Sequence, residues 1–583
     1  MKKELRILKK IIWYCFDTSI FLTTLLILAS VLVGLVSTVR VWTLGQIVNQ
    51  LRFDPGLITL LAVTLLISEA AISFGYYLRQ VLAARIKLKM KTDLLRAVNT
   101  MPPLIQEIND TQLKIGRAFD FINHHFETSL SSVWILTADF ISVISVTALL
   151  LNYSWLFPVL AGLSAVFIIQ IRLKQDAAMH AMYKTQYPNV QLGNYYLNAL
   201  TKRESVLELR LLKAQTLFTE KFLRISQQNL RERTNYFMEH AYKGSLLEAL
   251  VLVAGNFLSL VWAVLLLAVS PDFTIGTLSI VINGILTAQN DLIAFAFNGK
   301  YIYQAVLYGE DYWELCEDYQ HAGANYQSFE RIHAVELKNV YFKYPNSDVY
   351  ALKNINLKLK LNETLGITGA NGSGKSTLCK IILGIYQPTK GEIWVNGENV
   401  TNKNYILRDS GTVFQDFVRY ELTPGDNIFF GCVQKRYDQM EIMEAAEKAG
   451  AHEFITKLPD QYAAPIGTLF ENSTYLSGGQ WQRLAVARGL YADGSFVVLD
   501  EPNASMDPQM EATLFKQFQE IITKKDCIGV LISHRLGSTK NCGQIIVMEA
   551  GEIIEAGTYQ ELMNLGGKYS QMYTAQSQLY TKA

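Results

Sequence analysis

Leu365-Gly366-Ile367-Thr368-Gly369-Ala370-Asn371-Gly372-Ser373-Gly374-Lys375-Ser376-Thr377 decides the fold of the C-terminal half of this chain. An apolar run ends in closely spaced glycines, and a helical pattern continues through Leu383. This order of strand, glycine loop and helix is that of a phosphate cradle. Glycines let backbone amides curl around an anion, and the helix N-terminus adds its positive dipole. Gly369, Ala370, Asn371, Gly372, Ser373, Gly374, Lys375, Ser376 and Thr377 are therefore candidate nucleotide-binding residues. Lys375 would neutralise the β- and γ-phosphates of ATP, and the Ser376 hydroxyl would ligate magnesium.

Downstream, the apolar run 496–499 ends in Asp500-Glu501, which predicts two carboxylates at the tip of a strand. Asp500 would hold magnesium through water. Glu501, one residue further, would orient and deprotonate the attacking water. An acidic pair after a strand says little alone; its weight comes from following the phosphate loop. Alternation over 335–344 and 355–361 predicts further strands, so a soluble α/β domain begins near Val335.

Leu476-Ser477-Gly478-Gly479-Gln480, followed by Trp481-Gln482-Arg483 and a helical pattern over 485–490, resembles the signature sequence of ABC ATPases. The resemblance implies that Ser477, Gly478, Gly479 and Gln480 bind the γ-phosphate of ATP held by the opposite subunit, hence a head-to-tail dimer enclosing two nucleotides. Other positions match the family residue by residue. Tyr344 resembles the aromatic on which adenine stacks, and Gln415 the glutamine that touches magnesium and water. Asp507 resembles the acid coupling the two sites, and His534 the histidine contacting the γ-phosphate. One departure is visible at 464–473, Ala-Pro-Ile-Gly-Thr-Leu-Phe-Glu-Asn-Ser, where many exporters carry a different acidic segment. With Leu-Ser-Gly-Gly-Gln-Trp-Gln, that variant looks most like bacterial exporters of lantibiotics and related peptides.

The N-terminal half reads differently. At 583 residues more than one domain is expected, and a mean hydropathy of +0.14 averages two unlike parts. A membrane-spanning helix needs about 20 apolar residues. Runs of that order occur near 20–41, 57–77, 133–152, 155–171, 246–269 and 275–297. Lys and Arg collect before the first run, between the second and third, and between the fourth and fifth. That asymmetry predicts that both termini face the cytosol. The basic start, MKKELRILKK, predicts an amphipathic helix on the inner membrane surface rather than a cleaved signal. With the first run near Ile20, an N-terminal peptidase domain is not expected. The long loops carry helical spacing of apolar residues, and short helices near 109–118 and 205–212 are candidates for touching the ATPase domain. Among acids within the runs, Glu69, Asp139, Glu248 and Asp291, with Asn283, Gln289 and Asn290 beside the last, are candidates for lining a substrate cavity. Helices protruding into the cytosol could equally place them outside the hydrocarbon.

A net charge of +1 gives no reason to expect nucleic acid. Six scattered cysteines without a CxxC pair predict reduced thiols and no metal site. The expected architecture is an α-helical six-span transmembrane domain followed by an α/β P-loop ABC ATPase. The divisions are an elbow helix at 1–18, the membrane domain at 19–310, a linker at 311–334 and the ATPase at 335–575. The expected activity is ATP-driven export of a peptide or amphipathic substrate across a lipid bilayer, by a homodimer using ATP and Mg2+. A heterodimer with a second half-transporter, an uptake transporter of the same architecture and a membrane ATPase with a sensing role are the alternatives. A soluble-type enzyme on a membrane anchor is disfavoured, since one span would suffice for anchoring.

Overall fold

The computed structural model describes residues 2–50, 54–271, 273–319, 329, 331–345, 347–401, 410–492, 494–502 and 508–581. The chain divides into two compact units, one of Met1–Asn99 and Leu113–His321, the other of Thr100–Gln112 and Ala322–Ala583.

The first unit is helical. An N-terminal helix α1 (Lys2–Thr18) precedes α2 (Ile20–Gln50) and α3 (Pro55–Thr100). A four-residue helix α4 (Pro103–Gln106) leads into α5 (Asn109–Asp120), which runs through a π turn into α6 (Phe126–Leu151). Then come α7 (Leu156–Thr201), the short α8 (Arg203–Leu211), α9 (Gln215–Tyr236), α10 (Lys243–Val269) and α11 (Ile275–Tyr319). Among the described residues six helical stretches are long and apolar enough to cross a membrane, and each contains, to within a residue, one of the six runs read from the sequence. The helices outrun the bilayer. The 46 residues of α3, at about 1.5 Å each, span roughly 70 Å against a hydrocarbon core of about 30 Å.

Two expectations need correction. The start of the stretch expected as a linker, 311–334, is helical as far as Tyr319, because α11 continues without a break. The 109–118 segment is the opening of a long helix rather than a separate short one. The short helix is α4, made by Pro103 at its first position, and it groups with the second unit. The 205–212 segment does hold a short helix, α8, and it belongs to the first unit.

Without a hydrophobic drive between spans, small residues and polar contacts hold them together. A Cβ at Gly45 would lie 2.0 Å from Ile280, and one at Gly276 would lie 2.4 Å from the Gly45 carbonyl, so α2 and α11 meet backbone to backbone. Hydroxyl pairs join α2 to α6, Ser37 to Ser142 and Thr38 to Ser145, each at 2.6 Å. Gln289, 1% exposed, donates to Ser164 at 2.8 Å and so ties α11 to α7. Its Oε1 is buried without a hydrogen-bond partner. Asn283 bonds back to its own helix at Ser279. Asp139 and Asp291 lie within each other's field, with Ser142 and Arg40 around Asp291, while Glu69 and Asn290 are exposed. Glu248 is paired: Arg172 Nε and Nη2 reach its two oxygens at 3.0 and 3.3 Å.

The second unit carries two sheets. One is antiparallel, ordered β2-β1-β4-β5, from β1 (Ala334–Phe342), β2 (Leu352–Lys360), β4 (Lys390–Val395) and β5 (Glu398–Asn399). Its strand β2 alternates between buried and exposed positions, as a sheet with one wet face should. The other sheet has the order β10-β9-β3-β8-β7-β6. It consists of β3 (Thr364–Gly369), β6 (Ser410–Val413), β7 (Phe496–Asp500), β8 (Ile528–Ile532), β9 (Gln544–Glu549) and β10 (Glu552–Gly557). All its pairings are parallel except β10 with β9. Every residue of β7 and β8 is buried, which matches their unbroken apolar sequence. Around the sheets lie α12 (Lys375–Ile382), α13 (Pro424–Phe429), α14 (Gln439–Lys448), α15 (His452–Ile455), α16 (Gly478–Tyr491), α17 (Pro508–Lys525), α18 (Leu536–Thr539), α19 (Tyr559–Leu565) and α20 (Lys568–Thr581).

The Arg172–Glu248 pair gives a first prediction. Arg172→Ala strands a largely buried carboxylate, so the protein in nanodiscs should lose about 1–3 kcal/mol of stability, read as a lowered thermal midpoint. The double change Arg172→Leu with Glu248→Leu should recover most of it.

Candidate functional site

In parallel sheets, binding groups gather where the strands end. Ile532 of β8 registers with Ile367 of β3 on one side and with Asp500 of β7 on the other, while Val413 of β6 registers with Leu499. The segments just past four neighbouring strand ends therefore stand in a row. They carry the phosphate loop after β3, His534 after β8, Asp500 and Glu501 at β7, and Gln415 after β6. Residues spread over 166 positions of sequence, from 369 to 534, converge because of strand order.

The loop has the curvature its glycines predict. Gly369, Gly372 and Gly374 take φ of 144°, 76° and 101°. A Cβ at Gly369 would lie 2.2 Å from the Met548 carbonyl, so a side chain there is excluded outright. Ala370, Asn371 and Ser373 complete the turn, and Gly374 caps α12. Lys375 folds back, its Nζ donating at 3.0 Å to the carbonyls of Gly369 and Ala370. Burial lowers its pKa, opposed by the charges of Glu501 and Asp500. Thr377 is committed elsewhere: its hydroxyl meets the Tyr344 hydroxyl at 2.9 Å. Tyr344 is thereby tied to the phosphate-loop helix while the residue stays 37% exposed.

Asp500 is 2% exposed, and its Oδ1 has no hydrogen-bond partner. Burial raises its pKa, while a hydrogen bond with Ser376 pulls the other way. A buried carboxylate oxygen without a partner, beside a serine hydroxyl, fits a hard cation such as magnesium. Glu501 shows a feature no sequence pattern announced, a left-handed backbone with φ of 51°, a costly conformation for a residue with a side chain. Its amide donates to the Ile532 carbonyl at 3.0 Å. Its carboxylate is gripped from both sides, by Gln415 Nε2 at 2.9 Å on Oε2 and by an ion-pair contact of His534 Nε2 on Oε1. Sequence reasoning aimed Gln415 and His534 at magnesium and phosphate; here both meet at Glu501.

The signature residues stand on their own element. Ser477 N-caps α16, its Oγ accepting from the Gln480 amide at 3.3 Å, while Gln480 Oε1 accepts from the Ser477 amide at 2.8 Å. This reciprocal cap uses the Gln480 side chain and leaves Ser477 and Gly478 exposed, with Gly479 half-buried. Just upstream, the 464–473 departure is anchored by Glu421, whose carboxylate accepts from the Thr468 amide at 2.6 Å. Asp507 lies outside the described residues.

A further group was not read from the sequence. Lys380 on α12 donates to the Tyr386 hydroxyl at 2.7 Å and to Glu107 at 3.2 Å, and Tyr386 in turn donates to Glu107. Tyr386 is fully buried, stacked on Phe342 with centroids 5.2 Å apart and edge-on to Tyr344 at 5.9 Å. Glu107 immediately follows α4. The signal was available as an acidic residue beside a proline-initiated turn, but nothing local says what it meets.

Residues 352–504 match a family model described as ABC transporter. The chain is 26% identical over 575 residues to the subtilin transport ATP-binding protein SpaT of Bacillus subtilis, covering 96% of this chain and 92% of that protein. It is 30% identical over 387 residues to the nisin transport ATP-binding protein NisT of Lactococcus lactis subsp. lactis, covering 65% and 64%. With the ATP-dependent lipid A-core flippase of Escherichia coli (strain K12) it shares 25% identity, covering 89% of this chain and 87% of the flippase. Among solved structures, a bacterial Atm1-family ABC exporter with ATP bound superposes with a TM-score of 0.80 at 18% identity, over 95% of this chain and 99% of that one.

Glu501→Gln keeps the shape and removes the base. Phosphate release by the purified chain should fall by about 100-fold or more, while binding of a fluorescent ATP analogue persists. Gln415→Ala and His534→Ala should each cost about 10-fold by loosening the same carboxylate.

Proposed function

We propose that this chain is an exporter-type half-transporter of the ABC transporter family, and that two copies of it export a peptide or other amphipathic substrate across the bacterial membrane. ATP hydrolysis drives the transport. The observation that carries this reading is the row of strand ends, which brings the phosphate loop and a doubly held Glu501 together in a chain that also bears six spans. The peptide assignment rests on the likeness, over nearly the whole chain, to a subtilin transport protein. With the basic loops on the inner face, both termini are cytosolic.

The steps follow from the residues. Lys375 and the loop amides of 369–374 bind the phosphates, and the Tyr344 ring takes the adenine. Asp500, Ser376 and the carbonyl oxygen of Gln415 would hold magnesium, which when bound neutralises charge between the β- and γ-phosphates. Glu501 accepts the proton of the attacking water, kept in place by Gln415 and His534. A copy of Ser477, Gly478 and Gly479 from the second subunit completes the phosphate contacts, and Asp507 keeps the coupling role its resemblance implies. ATP drives the cycle only by binding the closed dimer more tightly than the open one.

The Glu107 contact supports a route outward. One carboxylate is joined through Tyr386 to the adenine platform and through Lys380 to the phosphate-loop helix, so a single group reports on both ends of the nucleotide. Its chain neighbours continue into α3 and α5.

Proteoliposomes test the function directly. Wild type should show ATP-dependent movement of a lantibiotic-class peptide and stimulated hydrolysis; hydrolysis without movement of any peptide or lipid probe would count for the sensing role instead. Glu107→Ala and Tyr386→Phe should retain basal hydrolysis and lower transport per ATP by about 5-fold or more, the lower range of allosteric coupling. Parallel loss of both activities would rule that route out.

A further inference from the structure

The C-terminal helix α20 reaches back to the segment that carries His534. Gln576 Nε2 donates to the His534 carbonyl at 2.6 Å, and its Oε1 accepts from the Leu536 amide at 2.9 Å. One side-chain amide thus meets an acceptor and a donor two residues apart, as a neighbouring strand would, and the backbone partners dictate which way it faces. Only glutamine or asparagine offers both groups, and asparagine is a methylene shorter.

The helix can serve as a fixed post. Glu555 accepts from the first amides of α20, at Lys568 and, at 3.0 Å, Tyr569. Tyr569 is fully buried, with its hydroxyl 3.3 Å from Thr539 at the end of α18. Met572 and Tyr573 pack against the core. Lys540, next after α18, sits over the Tyr559 ring at 5.1 Å. The other flank of His534 is held too: Ser533 is fully buried, and its amide donates to the β3 carbonyl of Ile367 at 3.3 Å. The histidine therefore stands between a point pinned by the sheet and a point pinned by Gln576, with its ring against Glu501.

We propose that Gln576 is a positioning residue for ATP hydrolysis, setting the backbone of His534 so that its ring holds Glu501 in working geometry; this rests on the reading of His534 and Glu501 given above. The rest of α20 is docked by other contacts. Loss of the amide accordingly loosens the His534 carbonyl and the Leu536 amide without releasing the helix, while Arg535 between them keeps its bonds with Ser533 Oγ at 3.0 and 3.2 Å. Turnover changes, whereas nucleotide binding and stability do not.

The test uses the full-length protein in nanodiscs. Gln576→Met, near in volume and without either hydrogen bond, should lower kcat by about 3- to 10-fold, leave KM for ATP within about 2-fold and leave the thermal midpoint within about 2 °C. In single-turnover measurements on a His534→Ala background, adding Gln576→Met should change the rate by less than about 1.5-fold, because both act through one group. Should the Met variant fail to assemble, Gln576→Asn reads the same parameters. An unchanged kcat, a fall in stability and KM together, or effects that multiply with His534→Ala would each overturn the proposal. An undiminished rate in His534→Ala alone would show instead that the site reading is at fault, and Gln576 would fall with it.

Discussion

A parallel sheet buried on both faces leaves its polar groups one place to act, the carboxyl ends of its strands. In this ATPase unit that constraint dictates nearly everything else. Strands β7 and β8 have no wet face, so their sequences cannot carry chemistry until they stop. They stop in register, and Asp500, Glu501 and His534 emerge beside the phosphate loop. The strained backbone of Glu501 is a result of the same arrangement, since the residue must turn at once after the strand while its amide stays bonded to β8. Gln415 and His534 then determine which way its carboxylate points.

The same economy of position explains how distant parts of the chain reach the site. Neither Glu107 nor Gln576 touches the phosphate loop. Each meets a neighbour of the site, Glu107 the aromatic stack and the phosphate-loop helix, Gln576 the backbone of the histidine that meets Glu501. A site assembled from loop tips has little packing beneath it, and such braces supply stiffness that the core cannot.

Much of this could be read before any coordinates. The six apolar runs, the strand leading to Gly369 and the one ending at Asp500 declare themselves because burial imposes a local pattern: length in a bilayer, unbroken hydrophobicity within a sheet. The phosphate loop and the serine-glycine start of α16 are equally local, each a short motif whose backbone needs are visible in residue type. What escaped was nonlocal or conformational. Glu107 meets Tyr386 across nearly three hundred residues, and nothing near either one names its partner. The left-handed turn at Glu501 defies the usual preference for glycine. Gln289 looked like a cavity residue because a polar group inside a span is unusual, yet Ser164 on another helix satisfies its amide nitrogen. The overlong α11 was missed because tyrosines and charges on a helix beyond the membrane look like those of a linker.

The reciprocal cap at the start of α16 has a consequence for assembly. The Ser477 oxygen accepts from Gln480 at 3.3 Å and keeps its proton free to donate outward, and the free amides of a first helical turn only donate. Such a surface is rich in donors. In the dimer proposed above, such a donor-rich surface is matched to electron-rich oxygen, so the terminal phosphate of the fuel would serve also as mortar between the subunits, lost to the joint once it is cleaved and leaves.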